Sequence, residues 1–346
     1  MRTEKRNYGL DLLRTLAMLM VVGQHACMYS GIFADGGSLF TNYAFAVVLK
    51  AFCSAGVNCF WLMSGYLLAD RMEFRTRRFF GLWGWVVFYS LVSTAIGAAF
   101  APLSWRALLE AATPVLSFRY WFMDVYLALL LLAPAINGGL AVLDRRRYAW
   151  LLAMLFLLLS FLPACGVRMF DPGSFGLAWG VTMYAAGVFL RRHPSVLPET
   201  QKGAVLLAVG AFALLLAAVA ANFVCGRIWN VDLFDYSSYN FPATVLHSVA
   251  LFVLFLRIRV RSDRSLVRTA ALASPYVIGV YLLHEAPVFR NSVWSWTLGG
   301  TASASVLYPL RMLAVVMAVF AGGVLVDAIL HRAVGIFRSK GASHAQ

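Results

Sequence analysis

The first apolar segment of the chain begins Asn7-Tyr-Gly-Leu-Asp11-Leu-Leu-Arg14 and runs on through uncharged sequence to Gln24 and His25. Its composition predicts a membrane-spanning helix, yet ionisable groups interrupt it. Arg14 and His25 are eleven positions apart, so at about 100° per residue they differ by only about 20° around a helix. Asp11 lies within about 60° of both. The three side chains therefore share one stripe, which extends roughly 21 Å along the helix axis.

The whole chain is unusually apolar. Its 346 residues are 61% hydrophobic and 13% charged, with a mean hydropathy of +0.76, whereas soluble proteins carry about 25% charged residues. A helix needs about 20 mostly apolar residues to cross a bilayer, and ten segments qualify: about 10–29, 45–68, 79–101, 120–140, 148–164, 174–190, 203–224, 241–256, 270–288 and 305–330. The sequence predicts an all-α integral membrane protein, a bundle of about ten transmembrane helices in one domain over 1–346, with a basic tail at about 331–346.

The net charge of +14 would suit a nucleic-acid-binding protein, but the placement of the charges excludes that class. Most of the 29 Lys and Arg residues lie in the N-terminal tail, in loops 69–78, 141–147, 191–202 and 257–268, and in the C-terminal tail. The alternate loops hold Arg106, Arg119, Arg168, Arg227 and Arg290. By the positive-inside rule, both termini are expected in the cytosol. The expected location is the inner (plasma) membrane, with the lipid bilayer as a partner and no nucleic acid.

The N-terminal segment is basic and then apolar, as a signal peptide is, but it contains charged residues and no small-residue cleavage site follows it. We expect it to be a retained helix. The five Cys residues form no C-x-x-C pair. Cys27, Cys53 and Cys59 fall in spans and are expected to be packing residues. Cys165 and Cys225 both fall on the predicted outer side, where a disulfide is an open alternative.

The loop after the second predicted span contains Arg71, Arg75, Arg77 and Arg78. Such a cluster is explained by topology and by attraction to anionic headgroups. It is equally explained by a phosphate clamp, because guanidinium groups make forked contacts with phosphate oxygens. Both interpretations stay open at this point.

Further polar groups mark the predicted outer ends of spans. Asp124 opens the fourth span and is expected to pair with Arg119. His284, Glu285 and Arg290 cluster at the end of the ninth span, where Glu285 and a nearby Pro make the histidine more notable. The loop around 225–240 carries aromatic and acidic residues that would suit a sugar, but a position at the membrane interface is the favoured explanation.

Taken in order, these motifs resemble the membrane-bound acyltransferase-3 family. That family places an Arg and a His on its first helix with ten residues between them, as Arg14 and His25 are placed here. Further similar blocks are Phe60-Trp-Leu-Met-Ser64-Gly65, Arg77-Arg78, Trp121-Phe-Met-x-x-Tyr126 with Pro134, and Gly279-Val-Tyr281-Leu-Leu-His284. The cluster Leu282-Leu-His284-Glu285-x-Pro287, with Arg290 and Trp294, most resembles the polysaccharide-acetylating branch of the family.

The resemblance implies transfer of an acyl group, usually acetyl from cytosolic acetyl-CoA, to a hydroxyl of a surface glycan or its lipid-linked precursor. Such a transfer needs a base, and His25 is the candidate because imidazole accepts protons near neutral pH. Arg14 is expected to hold donor phosphate or developing negative charge, and Asp11 to pair with Arg14. About 16 Å along the helix separates Arg14 from His25, so they are expected to hold different parts of one long ligand.

The other candidate residues are assigned either to the donor or to the acceptor. The arginines of the basic loop, Arg71, Arg75, Arg77 and Arg78, are expected at the nucleotide of the donor. The acceptor is expected to contact Trp121, Tyr126, Tyr281, His284 and Glu285. No metal is expected.

Two other functions remain open from sequence alone. A transporter or flippase for a glycan precursor or small anionic solute would also place ionisable residues and proline-interrupted helices inside the membrane. It predicts two related halves, which the sequence does not display. A third interpretation is a partner of surface-polymer assembly machinery with a degenerate site. The sequence leaves the oligomeric state, the acceptor sugar and the acyl chain undetermined.

Overall fold

The computed structural model describes residues 7–34, 39–100, 102–167, 174–231, 233, 235–258 and 264–343, and only the backbone at 301 and 335–343. All regular structure in these residues is helical. The helices are α1 (Tyr8–Tyr29), α2 (Phe40–Cys53), α3 (Ala55–Leu68), α4 (Thr76–Gly97), α5 (Trp105–Ala112), α6 (Trp121–Ala141), α7 (Arg145–Phe156), α8 (Leu162–Ala164), α9 (Leu177–Arg192), α10 (Gln201–Trp229), α11 (Pro242–Arg257), α12 (Ser265–Ala273), α13 (Val277–His284), α14 (Pro287–Leu298) and α15 (Tyr308–Ser343).

In the described part of the chain, eight segments are long and apolar enough to cross a membrane. They are Tyr8–Tyr29, Phe40–Leu68, Thr76–Gly97, Trp121–Ala141, Arg145–Ala164, Gln201–Trp229, Ser265–His284 and Tyr308–Val334. The other two predicted spans fall on α9 and α11, which have 16 residues each. The expected class is therefore confirmed: this is an all-α, multi-pass membrane protein. The cytosolic position of both termini stays a prediction from the charge distribution.

The first helix lies in the middle of the bundle. The side chain of Asn7 caps it by accepting hydrogen bonds from the backbone N–H groups of Gly9 (3.0 Å) and Leu10 (3.3 Å). From there α1 packs against α2, α3 and α11 to α15. Gln24 and His25 are buried in this packing, so the polar stripe of α1 faces protein and not lipid.

The segment Ser265–His284 runs parallel to α1, in the same direction. At its start, the carbonyl of Ala270 accepts a hydrogen bond from Thr15 (3.1 Å), and at its end His284 reaches His25. A short 3-10 turn, Ser274–Tyr276, interrupts it at Pro275. One segment therefore follows the polar stripe of α1 from end to end.

Both ends of the chain meet at the same side of the bundle. Arg14, near the start of α1, contacts Ser274, and the ring of His331, late in α15, lies 5.7 Å from the ring of Tyr276. We call this side the terminal face, and the side where α1 finishes the far face.

The small residues Ser64 and Gly65 predict close helix packing, and the contact between α3 and α9 is unusually close. A Cβ atom on Gly65 would overlap the carbonyl oxygen of Tyr184, and one on Gly187 would overlap the carbonyl oxygen of Leu62. Small residues allow such backbone approach between membrane helices. Beside this contact the indole of Trp179 donates to Asn58 (3.0 Å), which ties the two helices together.

The cysteines lie largely where the sequence placed them. Cys27, Cys53 and Cys59 are buried packing residues, whereas Cys165 is exposed and Cys225 partly exposed. Both of the latter are free thiols, so the structure does not contain the disulfide that the sequence left open.

The glycine contact gives a direct test of the packing. Gly65→Ala should lower stability by about 1–3 kcal/mol, because the added methyl group must push two helix backbones apart. Thermal unfolding of the purified protein, followed by tryptophan fluorescence, should show a melting temperature several degrees lower. Gly210→Ala is the matched control, since nothing lies within 4 Å of the added carbon. Equal melting temperatures for the two variants would contradict the packing argument.

Candidate active site

Two histidines and a glutamate meet in the interior toward the far face. His25 Nδ1 lies 2.9 Å from His284 Nε2 and 3.0 Å from Glu285 Oε2. All three side chains are buried. α13 ends at His284 and α14 starts at Pro287, so the chain turns here and presents Glu285 to α1. The sequence predicted both sets of residues but not their meeting.

The hydrogen bonds assign the tautomers of the two imidazoles. His284 Nδ1 lies 2.6 Å from the carbonyl oxygen of Val280. A carbonyl can only accept, so His284 Nδ1 carries the hydrogen, and the Nε2 of neutral His284 is an acceptor. His25 Nδ1 must then donate to it, so in neutral His25 the lone pair lies on Nε2. That nitrogen can take a proton from a substrate.

Glu285 is the charged group of this site, and it lies one residue beyond the spanning segment. Its Oε1 accepts from Arg290 Nη1 (3.0 Å) and from the Tyr29 hydroxyl (3.4 Å). Its Oε2 faces His25 at ion-pair distance but makes no hydrogen bond, because the His25 N–H points at His284. Burial alone would raise the pKa of Glu285, but the positive charge that His25 carries when it is protonated and the hydrogen bond from Arg290 lower this pKa below its usual range.

Unpaired donors surround the histidines. Tyr281 and Trp294 lie with their ring centres 6.0 Å and 6.4 Å from that of His284, and Tyr120 lies 6.3 Å from Tyr281. The two hydroxyls and the indole N–H are buried and have no hydrogen-bond partner in the described part of the chain. An unsatisfied buried donor costs about 1–3 kcal/mol. Such donors beside a potential base suit a place where substrate oxygens bind.

The predicted pairing of Asp124 with Arg119 is wrong. Arg119 precedes α6 and donates instead to Thr94 of α4 (2.8 Å). Asp124 lies in the first turn of α6 and is buried, with neither carboxylate oxygen hydrogen-bonded to a described residue. The two side chains leave the start of α6 in different directions, which proximity in sequence does not reveal.

Asp11 and Arg14 form a second cluster at the terminal face. Arg14 Nη1 lies 3.6 Å from Asp11 Oδ1. The Ser274 hydroxyl accepts from Arg14 (2.9 Å) and donates to Asp11 (3.0 Å). The predicted pair is confirmed, and the predicted separation from His25, about 16 Å along α1, is kept.

Three of the four arginines of the basic loop lie around one small cavity. Arg71, Arg75 and Arg78 line one cavity of about 40 Å³ together with Glu73, and Arg77 is not among its lining residues. A cavity of this size holds little more than one water molecule, whose share of liquid volume is about 30 Å³. The structure therefore brings three of the four predicted arginines together without showing a nucleotide-sized site.

Only some of the predicted acceptor residues lie near the two histidines. Trp121 stacks on Tyr239 at 5.8 Å between ring centres, and the Tyr239 hydroxyl donates to Gln24 beside His25 (3.3 Å). Tyr126 instead stacks on Phe122, and no described contact joins it to the histidines.

Two neighbours of the site were not predicted. Tyr29 follows His25 by four residues, and its ring lies 5.5 Å from that of His25. Helical periodicity could have identified it. Tyr239 belongs to a loop, where no periodic signal exists.

Comparison with known proteins shows the family of this chain. The family model described as an acyltransferase domain, of the acyltransferase-3 type, matches residues 7–328. The chain belongs to the acyltransferase-3 family. No curated protein matches it. The family match covers both polar clusters of α1, and it identifies the chain as a multi-pass membrane acyltransferase.

The meeting of His25, His284 and Glu285 also resembles a metal site. Their potential ligand atoms lie within 4.8 Å of one another, and no other such group of ligands occurs in the described residues. Two imidazoles and a carboxylate suit Zn²⁺. However, the imidazoles already satisfy each other, and Arg290 already balances Glu285. That this acyltransferase works without a metal stays a prediction, with which the hydrogen-bonded arrangement is compatible.

Metal removal tests this prediction. Acyltransferase activity should be unchanged by EDTA or 1,10-phenanthroline, and elemental analysis of the purified protein should find only substoichiometric Zn²⁺. The physical reason is that the hydrogen-bonded cluster needs no cation to neutralise it. Loss of activity on chelation, restored by added Zn²⁺, would contradict the prediction.

Proposed function

We propose that this acyltransferase moves an acetyl group from cytosolic acetyl-CoA to a hydroxyl of a cell-surface polysaccharide or its lipid-linked precursor. The observation that carries the proposal is the hydrogen-bond pattern at His25, which places a hydrogen on Nδ1 and makes Nε2 the basic nitrogen of neutral His25 inside the bundle. Transfer from a thioester to a hydroxyl needs a base of this kind. Membership of the acyltransferase-3 family favours this chemistry over the transporter or flippase alternative.

The proposed reaction begins when His25 Nε2 takes the proton of the acceptor hydroxyl. The oxygen attacks the thioester carbonyl, and the tetrahedral intermediate collapses with expulsion of the CoA thiolate. The proton held by His25 then passes to the leaving sulfur, so that the free thiol and the new ester are the products. The Tyr281 hydroxyl and the Trp294 indole are the nearby donors available to the developing oxyanion.

Glu285 and Arg290 are positioning residues in this scheme. The Glu285 carboxylate, 3.0 Å from His25 Nδ1, stabilises the imidazolium that forms during the reaction. Arg290 holds the carboxylate ionised and oriented through its 3.0 Å contact. His284 fixes the His25 ring by accepting from Nδ1, so the base presents the same nitrogen throughout.

The donor would approach from the terminal face. Acyl-CoA is a long molecule whose phosphates lie far from its thioester. Arg14 and the arginines of the basic loop, Arg71, Arg75 and Arg78, are proposed to hold the phosphates, while the acyl end reaches His25. In this arrangement Arg14 would bind the phosphate end of the donor and His25 would act at its acyl end.

Loss of the base tests the reaction. In a strain that carries His25→Ala, the ester content of purified surface glycan, measured by NMR, should fall to the level of the deletion strain. General-base catalysis typically contributes about 10²- to 10⁴-fold to a rate. His193→Ala is the matched control, because His193 is partly exposed after α9 and lies outside the cluster. Normal ester content in a correctly inserted His25→Ala protein would refute the base assignment.

The donor site has its own test. Arg75→Gln and Arg78→Gln should each raise the KM for acetyl-CoA about tenfold or more with little change in kcat, because a hydrogen bond to a charged group contributes about 1.5–3 kcal/mol. Steady-state kinetics in detergent or nanodiscs measures this. Arg147→Gln is the control, since Arg147 is an exposed arginine that pairs with Asp144. An unchanged KM in both loop variants would exclude these arginines from the donor site.

A further inference from the structure

Lys50 is a charged residue that the proposed reaction does not use. It lies ten residues into the segment Phe40–Leu68, about 15 Å from its start. A charge within a membrane span costs about 2.5–3.5 kcal/mol on insertion scales. Within the described chain its ammonium forms no ion pair, and it lies 5.1 Å from the centre of the Phe33 ring. Such a residue usually marks a ligand path or a polar cavity.

Lys50 lines the largest cavity described in the molecule. This cavity measures about 950 Å³ and lies at the far face, between α2, the end of α10, the end of α8 and the loop before α11. Ligand pockets generally measure about 300–1,000 Å³. The cavity therefore has room for a segment of an oligosaccharide.

The charge of the described lining is positive. Lys50 and Arg227 are its cations and Asp235 its only carboxylate. Asp235 is already engaged, because its Oδ1 accepts from the hydroxyl (2.7 Å) and the backbone N–H (3.0 Å) of Ser237. A negatively charged group would be attracted to this lining.

The other polar side chains of the cavity hold its walls in place. Asn222 accepts from the backbone N–H of Leu233 (2.7 Å), and Asn240 donates to the carbonyl of Leu159 (2.7 Å). These bonds tie the loop before α11 to α10 and to the segment Arg145–Ala164. The cavity is consequently formed before any ligand arrives, which reduces the entropy cost of binding.

A single aromatic layer separates this cavity from the catalytic histidine. Phe175 lines the cavity, and its ring lies 4.7 Å from Trp121 and 5.4 Å from Tyr239. Tyr239 in turn contacts Gln24, the neighbour of His25. A ligand in the cavity would thus lie next to the place where the acceptor hydroxyl must be activated.

We propose that this cavity binds an acidic saccharide unit of the acceptor, with its carboxylate or phosphate at Lys50 and Arg227. The inference rests on the proposed function and adds the charge of the acceptor to it. The two cations supply the attraction, and the aromatic side chains of the lining, Tyr43, Phe175 and Tyr236, offer faces for sugar rings. The loop around 225–240, for which the sequence favoured a position at the membrane interface, would then help to form a binding site.

Binding to a glycan array tests the proposal. The purified protein in phosphatidylcholine nanodiscs is applied to pairs of glycans that differ only by a uronic acid carboxylate or a phosphate. The wild type should bind the acidic member of such pairs. Lys50→Met should weaken this binding at least about tenfold, because one charge-assisted contact is lost, and Lys50→Arg should largely restore it.

Lys202→Met is the matched control, since Lys202 is exposed at the other end of α10 from Arg227. It should bind as the wild type does. Equal binding to neutral and acidic members, no binding to any acidic glycan, or full binding by Lys50→Met would each overturn the proposal. Binding needs no acyl donor, and the ester measurement on His25→Ala does not involve Lys50. Failure of this inference is therefore distinguishable from failure of the proposed function.

A second arm distinguishes a sugar acid from a lipid headgroup. The same array is repeated in nanodiscs that contain phosphatidylglycerol, and lipids retained by the purified protein are identified by mass spectrometry. Glycan binding should persist there. If anionic lipid abolishes it, and if the wild type retains phosphatidylglycerol while Lys50→Met does not, the cavity is a lipid site and the saccharide proposal is overturned.

Discussion

The buried carboxylate of Glu285 determines how α1 packs against the turn between α13 and α14. Glu285 has lost its water and must be balanced by protein groups, because an unpaired buried charge typically costs about 3–5 kcal/mol. Arg290 and Tyr29 satisfy one oxygen, and His25 faces the other. Since these groups come from α1 and from α14, they fix the position of the turn after α13 against α1.

The same pair of segments makes a second polar contact at the terminal face. There Ser274, in the short turn that breaks the segment, bridges Arg14 and Asp11. The parallel arrangement thus turns one stripe on α1 into two polar sites about 16 Å apart. This separation suits a substrate that enters from one side of a membrane and an acceptor that enters from the other, which is the geometry that the proposed acyl transfer needs.

The cavities at the two faces of the bundle differ greatly in volume. At the terminal face the basic loop encloses a cavity of only about 40 Å³, whereas the far face holds one of about 950 Å³. Binding of a nucleotide between Arg71, Arg75 and Arg78 would therefore require these side chains to separate. The far cavity needs no such rearrangement, because hydrogen bonds hold its walls.

The sequence by itself determined the membrane class, the positions of the helices and the family, because apolar segments of spanning length and motif spacing are local properties. It also predicted the Asp11–Arg14 pair and the close contact at Gly65, which depend on neighbours in one helix or on side-chain size. Only the tertiary structure decided that His25 meets His284, 259 positions away. The same holds for the unpaired state of Asp124. The physical reason is that helical geometry relates residues three and four apart, whereas distant contacts depend on how whole helices pack.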